Sequence, residues 1–265
     1  MAAKSDRIVI KVGTSTLTNE LGNSNLRTME KLAMVLSDIQ NMGHEVVLVS
    51  SGAIAVGANK MHLKEKPKEM RMKQAAAAVG QCTNMFLYDK FFGYYDKMVG
   101  QILLNADDIK EEEKKENLSN TFSALLEKGV IPIVNENDSV SYKEIESEER
   151  LFSDNDVLSA VVAVLCQADK LIILSDIDGF YDKDPRLFKD AKLIERIDVI
   201  DDAVYELAGG AGSRRGTGGM RTKLQAADIA TAQGIDTVVT NGKDPAILFK
   251  VVKGESVGTL FKGHR

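Results

Sequence analysis

Five short runs of β-branched and aliphatic residues alternate along this 265-residue chain with longer segments of helical periodicity. The runs are RIVIKV (7–12), EVVLVS (45–50), VIPIVN (130–135), KLIILS (170–175) and DTVVTN (236–241). The helical segments cover residues 28–43, 70–92, 116–129, 154–168 and 220–234. Apolar strands that alternate with helices are typical of a largely parallel sheet. The pattern therefore predicts an α/β fold in which helices cover both faces of the sheet.

Composition narrows the classes of function. The net charge of -5 argues against the broad phosphate-binding surface of a nucleic-acid-binding protein, but a local cationic pocket remains compatible with it. Cys82 and Cys166 form no CxxC motif, so the sequence indicates neither a disulfide framework nor a sulfur-ligated metal site. No signal peptide and no apolar run of about 18 residues is present, which favours a cytoplasmic protein with no membrane contact.

Polar and small residues follow every one of the five strands. They read GTST, SSGAIAVG, NENDS, SDIDGFYDKDP and NGKDP in chain order. Ligands of open α/β sheets bind beyond the carboxyl ends of the strands. The sequence therefore predicts an active site at this edge of the sheet, with the DKDPR segment forming a turn beside it. The charged stretch DDIKEEEKKEN, in contrast, is typical of a solvated helix start.

Two lysines stand where an anion would be bound. Lys11 interrupts the first apolar run, and a buried ammonium there needs an anionic partner. Lys223 lies on the helix that follows GGAGSRRGTGG, a stretch with six glycines. Such a loop suits a phosphate cradle, although a flexible surface loop has the same composition. The usual GxxxxGK[ST] and GxGxxG fingerprints are absent, which argues against Walker-type NTPases and nicotinamide oxidoreductases.

Two acidic, amide-rich motifs accompany the lysines. NENDS spans residues 135–139, and SDNDVLSA places Asp154, Asn155 and Asp156 at a helix start. Aspartates at that position also serve as helix N-caps, and NENDS also suits an Asx-turn. Both structural alternatives stay open beside a functional one.

Taken in order, several motifs resemble those of the glutamate 5-kinases in the amino acid kinase family. They are KVGTSTLT, VSSGAIAVG, IPIVNENDSV, SDNDVLSA, LSDIDGFYDKDPR, GTGGMRTKLQAADIA and SVGTLF. The resemblance implies a three-layer αβα sandwich that forms one kinase domain over residues 1–265, without the C-terminal PUA domain of longer members. It implies glutamate binding mainly by the N-terminal part and ATP binding mainly by the C-terminal part. The implied reaction is Mg²⁺-dependent transfer of the ATP γ-phosphoryl group to the side-chain carboxylate of L-glutamate, the first step of proline biosynthesis.

The resemblance also implies roles for individual residues. Catalytic roles fall to Lys11, Lys223 and Asp156, with Asp156 between the two lysines. Glutamate binding falls to Ser51, Gly52, Asn135, Asp138, Asp154 and Asn155. ATP binding falls to Lys11, Gly13, Ser175, Asp176, Gly216, Thr217, Gly218, Gly219, Met220 and Lys223. Magnesium is expected mainly on the ATP phosphates, and no residue of the protein is singled out as a metal ligand.

Partners and rival functions follow from the same resemblance. It implies feedback inhibition by proline, a homo-oligomer (dimer or tetramer) and a possible contact with glutamyl phosphate reductase. The loop SYKEIESEERLFS is longer than expected, and Ser153 replaces the usual glycine, which affects loop geometry and inhibitor binding. The alternatives are a kinase for another small acid, such as N-acetylglutamate or carbamate, and a ligand-sensing module that has lost catalysis.

Overall fold

The structure of the chain is a computed structural model that describes residues 5–19, 22–65, 67–140, 154–209 and 218–264. Its strands are β1 (Arg7–Val12), β2 (Glu45–Ser50), β3 (Val99–Leu104), β4 (Ile131–Glu136), β5 (Lys170–Ser175), β6 (Arg196–Ile197), β7 (Asp236–Asn241) and β8 (Thr259–Phe261). Its helices are α1 (Thr14–Leu17), α2 (Leu26–Asn41), α3 (Ala53–Lys60), α4 (Met70–Gly93), α5 (Asp107–Lys110), α6 (Glu112–Glu127), α7 (Asn155–Leu165), α8 (Asp202–Gly209), α9 (Gly218–Thr231) and α10 (Ile247–Val252).

One eight-stranded sheet organises the described chain. The strands lie in the order β3-β4-β2-β1-β5-β7-β8-β6, and every pairing is parallel except β7 with β8. The mostly parallel sheet predicted from the sequence is therefore confirmed. Because β1 lies near the middle, its carboxyl end is flanked by those of β2 and β5, so residues that follow these strands meet at one edge.

Alternation along β1 separates two hydrophobic cores. Val9 faces a core that contains residues of α6, α7 and α9, whereas Ile8 and Ile10 face a core that contains residues of α2, α4 and α10. Side chains two residues apart on a strand share a face. Lys11 therefore points toward the layer of α7 and α9, and the three-layer sandwich is confirmed.

The five predicted strands all form, and three further strands in the described ranges were not predicted. Edge strand β3 contains Gly100 and only partly buried residues at its start, so it lacks the apolar run of a central strand. The strands β6 and β8 have two and three residues and are too short to leave a pattern. The charged stretch from residue 107 forms α5 and the start of α6 with mainly exposed side chains, which confirms the solvated helix start.

Two glycines bring α3 and α4 into backbone contact. A Cβ on Gly57 would lie 1.7 Å from the carbonyl oxygen of Ala76, and one on Gly80 would lie 1.8 Å from that of Ala53. Real Cβ atoms do not approach so closely, so both positions require glycine for this packing. The contact fixes α4 against the helix that follows β2. None of the helices in the described ranges has the length and apolar character needed to cross a membrane.

Candidate active site

A buried carboxylate joins the two lysines singled out by the sequence. Nζ of Lys11 lies 2.6 Å from Oδ1 of Asp156, and Nζ of Lys223 lies 2.9 Å from Oδ2. Asp156 is fully buried, and both lysines are less than a tenth exposed. The anionic partner that a lysine in β1 requires is therefore Asp156.

Three secondary-structure elements bring these groups together. Lys11 is the next-to-last residue of β1. Asp156 lies in the first turn of α7, and Lys223 lies in the second turn of α9. The first turn of α9 adds a further contact, since Lys223 also donates to the carbonyl oxygen of Gly219 at 3.1 Å. Thr222 donates to Oδ2 of Asp156 at 3.0 Å, a contact that the sequence analysis missed.

The charges of this cluster do not cancel. Burial opposes ionisation of Asp156, but the neighbouring ammonium groups of Lys11 and Lys223 outweigh it, and the pKa of the carboxyl is lowered from its ordinary value. One carboxylate between two ammonium groups leaves a net positive charge in a poorly solvated place. Such an excess favours the binding of an anion. The cluster is chemically suited to phosphate oxygens.

A second polar cluster lies next to the first, around Asn155. Nδ2 of Asn155 donates to Oγ of Ser51 at 2.7 Å, to Oδ1 of Asn135 at 3.0 Å and to the carbonyl oxygen of Ser50 at 3.3 Å. Ser51 and Asn135 are buried, and Asn155 is partly accessible. The ends of β2 and β4 and the start of α7 thus bring three predicted glutamate-binding residues together.

Helix α4 supports this second cluster from behind. Oε1 of Gln81 accepts a hydrogen bond from Nδ2 of Asn135 at 3.0 Å, and the hydroxyl of Tyr88 lies 2.8 Å from Oγ of Ser50. Burial raises the pKa of Tyr88, so its hydroxyl stays protonated and available for this bond. Gln81 and Tyr88 are seven residues apart and share a helix face. The sequence shows this spacing, but it does not show that this face of α4 contacts Asn135 and Ser50.

Two predicted glycines lie at helix starts beside these clusters. A Cβ on Gly13 would lie 3.6 Å from Nζ of Lys11, so the missing side chain leaves room next to the ammonium. Gly52 has a φ of +94° at the N-cap of α3, a conformation that favours glycine. The structure thus places Gly13 at the lysine cluster and Gly52 directly after Ser51.

The predicted ATP-binding residues after β5 form a separate polar edge. Ser175 is buried and donates to Oδ1 of Asp176 at 3.2 Å. Oδ2 of Asp176 lies 3.2 Å from Nη2 of Arg186, and the backbone N–H of Arg186 donates to Oδ1 of Asp184. The DKDPR segment therefore forms a turn, as predicted, and holds Asp176 at the strand end.

Other predicted residues are placed less directly. Asp154 is the exposed N-cap of α7 and its side chain makes no capping bond, while Asp138 lies partly buried in the turn after β4. Gly218, Gly219 and Met220 start α9. Gly216 and Thr217 lie outside the described residues, as does the loop with Ser153. Within the described ranges no group of three or more His, Cys, Asp or Glu side chains could hold a metal ion.

Comparison with known proteins identifies the family. A model described as the amino acid kinase family matches residues 6–241. The chain belongs to the amino acid kinase family. It is 58% identical over 257 residues to a glutamate 5-kinase of Clostridium perfringens (strain 13 / Type A). This match covers 97% of this chain and 95% of the relative. A glutamate 5-kinase of Listeria innocua serovar 6a is 53% identical over 261 residues, 98% of this chain and 94% of that protein.

Solved structures of this amino acid kinase family fold are similar at low sequence identity. The carbamate kinase from Giardia lamblia bound to AMP-PNP superposes with a TM-score of 0.68 at 16% identity, over 99% of each chain. The T. acidophilum isopentenyl phosphate kinase product complex gives a TM-score of 0.64 at 17% identity, over 97% of this chain and 100% of that one. These similarities confirm the fold class.

Proposed function

We propose that this member of the amino acid kinase family phosphorylates the side-chain carboxylate of L-glutamate with ATP, giving L-glutamyl 5-phosphate and ADP, the first step of proline biosynthesis. The observation that carries the proposal is the pair of neighbouring clusters at the start of α7. Asp156 joins the two lysines, and the adjacent Asn155 joins Ser51 and Asn135. One helix start thus belongs both to a cationic centre and to a polar pocket for a small amino acid.

The lysine cluster fits the phosphoryl donor. The nucleophile of this reaction is a carboxylate, which is already ionised at neutral pH, so no general base is required. The difficulty is repulsion between an anionic nucleophile and the triphosphate, with charge developing on the transferred oxygens. In our proposal Lys11 and Lys223 contact those oxygens, and Asp156 fixes the positions of both ammonium groups.

The remaining predicted nucleotide residues extend this site. Gly13 leaves space beside Lys11, and Ser175, Asp176 and the start of α9 border the same carboxyl edge. Gly216 and Thr217 complete the loop before α9 in the proposal, by resemblance. Magnesium would be carried on the phosphates of bound ATP, where it neutralises part of their charge.

The Asn155 cluster fits glutamate. The hydroxyl of Ser51 accepts from Asn155, so its own hydrogen remains to donate to the α-carboxylate. Asp138 would pair with the α-ammonium from the turn after β4, with Gly52 and Asp154 at the borders of the pocket. Bond formation between a side-chain oxygen of glutamate and the γ-phosphorus, with loss of ADP, needs no proton transfer.

Further parts of the proposal rest on the resemblance to glutamate 5-kinases. They are one kinase domain whose N-terminal part binds glutamate and whose C-terminal part binds ATP, a homo-oligomer, contact with glutamyl phosphate reductase and a cytoplasmic location. Inhibition by proline is included, since proline shares the α-amino and α-carboxylate groups of glutamate. Proline that competes with glutamate but not with ATP would support a shared pocket.

The reaction is tested by ADP release with glutamate and with N-acetylglutamate, with hydroxylamine present to trap an acyl phosphate. We expect ADP and hydroxamate to form in equal amounts with glutamate only, because acetylation removes the cation that Asp138 binds. Turnover with N-acetylglutamate instead would assign the chain to a different acid. ATP binding without turnover on either acid would indicate a sensing module.

A further inference from the structure

A chain of hydrogen bonds runs from the backbone of β2 to helix α4. It begins at the carbonyl oxygen of Ser50, which accepts from Nδ2 of Asn155. It continues from Nδ2 of Asn155 to Oδ1 of Asn135, and from Nδ2 of Asn135 to Oε1 of Gln81. Gln81 therefore ends a chain of three amides behind the proposed glutamate pocket.

The backbone carbonyl of Ser50 sets which amide atom donates and which accepts along this row of hydrogen bonds. A backbone carbonyl can only accept, so the atom of Asn155 that faces Ser50 must be the nitrogen. Asn135 then has to present its oxygen to Asn155, which leaves its nitrogen facing α4. That nitrogen needs an acceptor in a partly buried place, and Oε1 of Gln81 is the acceptor it finds.

The fixed direction determines what Asn155 can offer to a substrate. Its two amide hydrogens are shared among three acceptors, at Ser50, Ser51 and Asn135. Among the residues that the structure describes, Oδ1 of Asn155 has no hydrogen-bond donor. Asn155 thus meets a ligand as an acceptor, which suits an ammonium group and not a carboxylate.

We propose that Gln81 is a positioning residue that strengthens selection for an α-ammonium group: through Asn135, and together with the Ser50 carbonyl, it keeps Asn155 turned with its oxygen toward the substrate. The inference rests on the proposed glutamate kinase function. Without the acceptor at position 81, Nδ2 of Asn135 is left unpaired, so the orientation of Asn135 that presents Oδ1 to Asn155 loses stabilisation. A less firmly held Asn135 then holds Asn155 less firmly, and only the contacts to Ser50 and Ser51 still keep Oδ1 of Asn155 toward the substrate.

The test compares Gln81→Met, which keeps the length of the side chain but removes the amide, with Cys82→Ala. Cys82 is the next residue of α4 and is exposed, so it is a matched control. Glutamate is compared with glutarate, which lacks the α-ammonium and is measured as a substrate or, where turnover is slow, as a competitive inhibitor. We expect Gln81→Met to reduce selectivity for glutamate over glutarate by about tenfold or more, the scale of one lost hydrogen bond to a charged group. KM for ATP should stay within about twofold.

Repeating the Gln81→Met substitution in an Asn135→Asp variant distinguishes an effect on the orientation of Asn155 from a general loss of packing. In Asn135→Asp the carboxylate presents an oxygen to Asn155 whichever way it turns, so the orientation of Asn155 no longer depends on Gln81. We expect Gln81→Met to lose most of its effect on selectivity there. Equal losses for glutamate and glutarate, or a full effect in the Asn135→Asp background, would overturn the inference. A wild-type enzyme that makes no acyl phosphate from glutamate would instead overturn the proposed function.

Discussion

Asn155 and Asp156 are consecutive residues in the first turn of α7, yet their side chains enter different clusters. Asn155 donates to Ser51 and Asn135, whereas the carboxylate of Asp156 lies between Lys11 and Lys223. The position of one helix start therefore sets the geometry of both clusters. A shift of α7 would change phosphate and glutamate binding together.

Replacement of Asp138 tests the glutamate pocket. We expect Asp138→Ala to raise the glutamate KM about 30-fold and to leave the ATP KM nearly unchanged, since a charge-assisted contact to the α-ammonium is worth about 2 kcal/mol. Steady-state kinetics with each substrate varied in turn measures this. Ser139→Ala is the control, because Ser139 is exposed in the same turn. An unchanged glutamate KM would refute the role of Asp138.

Alanine at Gly80 tests the contact between α3 and α4. We expect Gly80→Ala to lower the free energy of unfolding by about 3 kcal/mol, the upper range for overpacking, because its Cβ would lie 1.8 Å from the carbonyl oxygen of Ala53. Gly93→Ala on the same helix has no neighbour within 4 Å and should change the free energy of unfolding by less than about 1 kcal/mol. Denaturant unfolding of both variants measures the difference. Equal stability of the two would contradict the close packing.

The pH dependence of stability tests the ion pairs of Asp156. The pKa of Asp156 in the folded protein lies below its pKa in the unfolded chain, which is about 4. At pH values between these two pKa values, the folded state therefore binds fewer protons than the unfolded state. The stabilisation is present in full above pH 4 and is lost as the pH falls through the folded-state pKa. We expect the stability advantage of wild type over Asp156→Asn to be constant near neutral pH and to shrink below about pH 4. An advantage that grows on acidification would contradict ionised pairing.

The sequence predicted the central strands and singled out the residues that meet in the two clusters, for definite physical reasons. A lysine inside an apolar run needs an anionic partner, and polar residues after parallel strands converge at one edge. At the helix start Asp154–Asp156, the sequence left N-capping open as an alternative to a functional role. The structure shows Asp154 at the N-cap and Asp156 turned toward the lysines, which removes the capping alternative for Asp156.

Other features depended on contacts between distant segments. Edge strand β3 forms because β4 pairs with it, although its own residues carry little strand signal. Gln81 looked like an ordinary polar residue of a helix until the fold placed it beside Asn135, 54 positions away. Helix α3 follows β2 in a segment that the sequence analysis treated as a polar strand end, and Gly80 of α4 supplies the packing that it needs. Such long-range partners are not encoded in local patterns.

The kinetics of Asp156→Asn test the central claim most directly, because asparagine keeps the shape of the side chain and removes its charge. We expect kcat to fall by about two to three orders of magnitude, as when one preorganised electrostatic group is lost, with both KM values changed by less than about threefold. Asp236→Asn is the matched control, since Asp236 pairs with Lys262 at 2.8 Å at the opposite end of the sheet. Near wild-type turnover of Asp156→Asn, in a folded protein, would contradict the role of Asp156 in positioning Lys11 and Lys223.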